Sequence, residues 1–121
     1  MGKRRILIAD DEEGIRESLG LILGDDYELE FAMDGQETLT KLVGGGFDLA
    51  LLDIKMPKMD GIEVMKRLRQ QQVKVPVFVL SAYQSVELAR EAVNLGALDY
   101  LPKPFEREHI VQAVRGALAA T

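Results

Sequence analysis

Phe47–Gly61 reads FDLALLDIKMPKMDG, and the fold turns on its first half. Leu49–Leu52 is an unbroken aliphatic run that reads as the buried centre of a sheet. Asp53 closes the run. A carboxylate there costs several kcal/mol unless something charged meets it. The residue types of the rest of the chain show what does.

Working outward, three further runs carry the β-branched and aliphatic content of buried strands: RRILIAD (Arg4–Asp10), YELEFAM (Tyr27–Met33) and VPVFVLS (Val75–Ser81). A weaker fifth, LDYLP, stops at Pro102. Helical patterns lie between and after them. EEGIRESLGLILG spaces Ile15, Leu19 and Ile22 along one face, and EREHIVQAVRGALAA does the same with Ile110, Val114 and Leu118. DGQETLTKLVGGG and DGIEVMKRLRQQ each open on a capping-box signature, Asp34 with Glu37 and Asp60 with Glu63. SVELAREAVNLG completes the set. The order is strand–helix repeated five times, which predicts an α/β fold: a doubly wound, parallel five-stranded sheet with helices on both faces.

The chain of 121 residues is read as one domain, 1–121, with 47% hydrophobic and 29% charged residues. A net charge of −5 argues against a general nucleic-acid-binding face, which needs cations to meet phosphates. The apolar run after MGKRR ends at Asp10, too short for a signal peptide, and no stretch approaches a membrane span. With no cysteine there is neither disulfide nor thiolate metal site, and a cytoplasmic protein is the expectation.

In such sheets ligands bind at the carboxyl ends of the strands. Strand one ends in Asp10-Asp11, with Glu12 next; strand three ends in Asp53, strand four in Ser81, and Lys103-Pro104 follows strand five. Alone, each is an ordinary turn former, cap or surface residue. Together they place three carboxylates against one ammonium. Oxygen ligands with no His or Cys beside them suit a hard divalent ion, magnesium above all or another such as manganese. An acid cluster, a lysine and a hydroxyl around one carboxylate have the makings of a phosphoryl-transfer site, with aspartate a competent nucleophile.

These residues, set in ILIADDE, LALLDIKMPKMDG, PVFVLSAY and GALDYLPKPF, resemble the receiver domain of two-component response regulators along essentially the whole chain. The resemblance implies the flavodoxin-like strand order 2-1-3-4-5. It also implies that Asp53 accepts a phosphoryl group from a phosphohistidine on a sensor histidine kinase or histidine phosphotransfer protein. Asp11, Asp53 and the backbone carbonyl of Lys55 would bind magnesium directly, and Asp10 mostly through water. Lys103 would pair with the phosphoryl oxygens, Ser81 would hydrogen-bond them, and Tyr100 would swing inward behind. The Lys103–Pro104 bond is cis by the same resemblance. Output would run through the fourth helix, fifth strand and fifth helix, a face through which homodimers also form in the family.

Serine stands at position 81 where threonine is commoner, keeping the hydroxyl and losing a methyl. Lys55 and Tyr83 occupy variable places that tune water access to the acyl-phosphate. A haloacid-dehalogenase-like phosphatase needs a second acid two residues after its nucleophile, where this chain has Lys55. A flavodoxin needs a hydroxyl- and glycine-rich loop after strand one, which ADDEE is not. His109, the single histidine, reads as a solvated or capping residue. Met56, Met59 and Met65 read as packing around the Asp53 loop. Two outputs stay open: a free-standing receiver acting by protein contact, or the receiver of a longer regulator.

Overall fold

The computed structural model describes residues 2–82 and 86–119, so Tyr83 lies outside the described residues. Strands β1 (Arg5–Ala9), β2 (Glu28–Ala32), β3 (Leu49–Asp53), β4 (Val77–Ala82) and β5 (Asp99–Lys103) alternate with helices α1 (Glu13–Leu23), α2 (Gly35–Gly44), α3 (Gly61–Gln70), α4 (Val86–Asn94) and α5 (Arg107–Ala119). The strands form one parallel sheet in the order β2-β1-β3-β4-β5, the doubly wound α/β architecture expected from the sequence.

Alternate side chains of each strand point to opposite faces, and each face has its own core. Leu7, Ala50, Leu52, Val77 and Val79 pack under α2, α3 and α4, which contribute Leu39, Leu42, Ile62, Val64, Met65, Leu68, Ala89 and Ala92. Ile6, Ile8, Leu49, Leu51, Phe78, Leu80 and Leu101 pack under α1 and α5, which contribute Leu19, Leu23, Ile110, Val114 and Leu118. Strand β3 is buried at all five positions because it is central and covered on both sides. Each fully buried Leu or Ile contributes about 1.5–3 kcal/mol of transfer free energy.

The edges of the sheet differ from the sequence reading. β2 reads as buried, yet as an edge strand it leaves Glu28 exposed and Phe31 more than one-third exposed. Charges line this edge. Arg5 reaches across to Glu30 and lies 3.7 Å from Glu28, with its guanidinium 4.6 Å above the Phe47 ring. Lys41 lies 3.8 Å from Glu30 and donates to the Phe31 carbonyl at 2.9 Å. At the other edge β5 runs through Pro102 to Lys103 instead of stopping, with Pro102 in register with Ser81. An edge strand tolerates the missing donor.

The two capping boxes are half realised. Asp34 and Asp60 each accept the N–H three residues on, from Glu37 and Glu63, at 2.8 Å. Glu37 reaches back to the N–H of Met33 rather than to its cap, and Glu63 pairs with Arg67 at 3.1 Å. Gly61 opens α3 because the chain doubles back on itself there. A Cβ at that position would stand 2.6 Å from the Asp53 carbonyl oxygen.

Candidate functional site

Register brings the site together. Ala9 lies opposite Leu52, Asp53 opposite Leu80, and Ala82 opposite Lys103, so the chain leaves β1, β3, β4 and β5 along one edge of the sheet. A cavity of about 350 Å³ opens there, lined by Asp11, Glu12, Asp53, Lys55, Ser81 and Lys103 among others.

Asp10 is fully buried and fully engaged. One carboxylate oxygen accepts Lys103 Nζ at 2.8 Å and the other accepts the Glu12 N–H at 2.9 Å. Its backbone is fixed as well: its N–H donates to Ala32, and its carbonyl accepts the Arg16 guanidinium at 2.9 Å. Asp53 is 6% exposed and stands 3.4 Å from Lys103. Lys103 therefore meets the buried acid, yet sits closer to Asp10. Glu12 completes its surroundings at 3.6 Å.

The electrostatics follow from this unequal sharing. Burial and the facing Asp10 push the Asp53 carboxyl up to about 6, against the opposing pull of Lys103 and the Lys55 N–H. Burial alone would lower the Lys103 ammonium, but the Asp10 hydrogen bond and the charges of Asp53, Asp10 and Glu12 outweigh it and hold it above its ordinary value. Both groups report one imbalance: too many carboxylates for one ammonium.

Asp10, Asp11, Glu12 and Asp53 each offer an oxygen, all within 4.8 Å of one another. Two of the four are exposed and two buried, so a cation entering from solvent meets carboxylates on a half-open rim. An all-oxygen donor set with surplus negative charge fits a hard divalent ion. Ser81 is buried at the same edge, with its hydroxyl donating to the Ala82 carbonyl at 3.0 Å. The Lys103–Pro104 bond is cis. Tyr100 stands on β5, 36% exposed, and is not among the residues lining the cavity. His109 lies exposed in α5, whereas Met56 and Met65 are buried and Met59 packs against the same core. Arg16 joins the site unannounced by the sequence, and Glu12, noted there only as the residue after Asp11, takes a place in the acid cluster. The place of Glu12 follows from its being the third acid of ADDEE, but the reach of Arg16 to Asp10 has no local signature.

A sequence profile describing the response regulator receiver domain matches residues 6–115. This chain is a receiver domain of the response regulator family. Among relatives of the receiver, response regulator MprA of Mycolicibacterium vanbaalenii is 40% identical over 118 residues, covering 97% of this chain and 51% of its own length. MprA of Mycobacterium avium is likewise 40% identical, with 52% of its length covered. The receiver thus spans about half the length of the curated relatives it matches. Solved structures agree. The Francisella response regulator 1452 receiver domain superposes with a TM-score of 0.89 at 31% identity, over 98% of both chains. A CheY-like receiver from Methanospirillum hungatei gives 0.90 at 32% identity, over 98% of this chain and 96% of that one. Full-length FixJ from B. japonicum gives 0.90 at 34% identity, with 59% of that chain covered. Among the described residues no helix is long and apolar enough to cross a membrane.

Proposed function

We propose that this receiver takes a phosphoryl group on Asp53 from a phosphohistidine of a sensor histidine kinase or histidine phosphotransfer protein, and relays the change through the face formed by α4, β5 and α5. The observation that carries the reading is the placement of Asp53: a buried carboxyl, raised to about 6, within 3.4 Å of a lysine and facing an acid cluster. A raised acid is a better nucleophile once ionised, and the surplus of carboxylates favours the cation that ionises it.

An Asp53 carboxylate oxygen attacks phosphorus, the P–N bond of the donor breaks, and the leaving imidazole keeps its electron pair. Asp11, Asp53 and the Lys55 carbonyl would hold magnesium, with Asp10 acting through water; when bound, the ion neutralises the cluster and the phosphoryl oxygens. Lys103 is already within reach of Asp53 and transfers its contact from the carboxylates to the phosphoryl oxygens. Ser81 rotates its hydroxyl away from the Ala82 carbonyl to meet the same oxygens, and Tyr100 turns inward from its exposed place. A new charge of about −1.5 to −2 then biases the packing of α4. The acyl-phosphate is removed by water, at a rate that Lys55 and Tyr83 tune. Homodimers would form through the same α4, β5 and α5 face. A cytoplasmic place and a protein rather than nucleic-acid partner for this domain complete the reading, in line with a net charge of −5.

Intact mass after incubation with acetyl phosphate, with and without magnesium, tests it. Wild type gains one labile phosphoryl group only with magnesium, and Asp53→Asn gains none. Equal labelling of Asp53→Asn would remove Asp53 from its role.

A further inference from the structure

We propose that the N-terminus of α2 positions the loop that carries Lys55, with Gly35 setting the distance, so that metal binding at Asp53 and closure of this contact are linked. The proposal rests on the reading of Asp53 and the Lys55 carbonyl as ligands.

The loop between β3 and α3, residues 54–60, is pinned at its base, where the Gly61 N–H donates to the Ile54 carbonyl at 2.6 Å. Its outer half is closed by one short turn and otherwise leans on α2, a different part of the chain. The Gly35 N–H donates to the Pro57 carbonyl at 3.2 Å, sharing that acceptor with the Met59 N–H at 2.7 Å. Lys58 Nζ lies 3.5 Å from the Asp34 carboxylate that caps α2. Lys58 itself has φ 68°, a left-handed conformation that a lysine keeps only when its neighbours impose it.

Gly35 is what lets the loop come this close. A Cβ there would fall on the Met59 carbonyl oxygen and stand 2.6 Å from the Met59 Cβ. Capping does not account for the glycine, because Asp34 supplies the cap and glycine is among the poorest helix formers. At the other end of α2 a Cβ on Gly44 would meet nothing within 4 Å. The loop cannot swing outward to make room without exposing Met59, which packs against the core beneath α2 and α3. The contact therefore orders the loop before any ligand arrives, and the linkage is reciprocal: an ion that prefers the ordered loop also tightens its hold on α2.

Magnesium alone, titrated into the whole chain and followed by the amide resonances of Asp53 and Lys55, tests this. Gly35→Ala is expected to bind magnesium about 10-fold more weakly, the scale on which loss of outer support weakens metal sites, while Gly44→Ala stays within about twofold of wild type. Wild-type affinity in a folded Gly35→Ala overturns the proposal and leaves the metal site standing. In wild type, hydrogen exchange at the Gly35 amide slows when magnesium saturates the site. Exchange that ignores magnesium overturns the linkage even if Gly35→Ala does not fold. A wild type that binds no magnesium overturns the ligand assignment and this proposal together.

Discussion

At Asp53, burial and the negative charge of Asp10 win over Lys103, and the carboxyl is raised to about 6 from 3.8. The folded chain then holds a proton that the unfolded chain has already lost. The stabilising contribution of the protonated form is complete below pH ~4 and disappears as pH rises through ~6. In the absence of divalent ions, the stability of wild type relative to Asp53→Asn should fall by ~2 kcal/mol between pH 4.5 and 7.5. Saturating magnesium should reduce that fall by screening the carboxylate. Melting curves of both proteins at pH 4.5 and 7.5, with and without the ion, check it. A gap that does not change with pH would mean that Asp53 is ionised throughout. Residue types and the edge they occupy were legible for Asp10, Asp11, Asp53, Ser81 and Lys103, since each ends or follows a strand. That Lys103 sits nearer to Asp10 than to Asp53 was not, because β4 and β3 lie between β5 and β1, and how far a side chain reaches over them depends on register and packing.

The helices of the α2, α3 and α4 face show how far an element can be read from its own residues. Asp60 caps α3 by accepting the Glu63 N–H, and Asp60→Ala should lower stability by about 1 kcal/mol in chemical denaturation, without changing the cooperativity of unfolding. Asp34 shares this device. Its carboxyl lies below the ordinary range because it accepts the Glu37 N–H and faces Lys58, so its help is present above pH ~4 and fades in stronger acid. Both caps were visible as Asp-Gly-x-Glu/Glu-spaced starts. The turn of Glu37 towards Met33 was invisible, since it answers to how β2 enters the helix. Edge strands were misread for a related reason. YELEFAM and LDYLP have strand-forming residues, but nothing local says which strand ends a sheet, so YELEFAM reads as a buried strand and LDYLP as one that stops at Pro102.

Across the whole molecule, anchorage is uneven. α3 buries Ile62, Val64, Met65 and Leu68, whereas α4 buries Ala89 and Ala92 and leaves Leu88 and Val93 more than one-third exposed. Small side chains give up little surface to water, so α4 is held by far less apolar area than its neighbour. Hydrogen exchange read by mass spectrometry should show α4 amides opening well before those of α3 and β3, and equal protection would contradict this account. A loosely held helix is what the change in charge proposed for Asp53 would move most readily. The order and crossing of the elements were legible because they follow from alternation alone, while this gradient of grip needed the packing itself. The two borders of the sheet differ in a comparable way. One is guarded by the ionic ladder of Arg5, Glu28, Glu30 and Lys41, which salt weakens, and the other by the missing donor of Pro102, which salt leaves untouched. In brine the border at β2 is therefore expected to lose its guard while the border at β5 keeps its own.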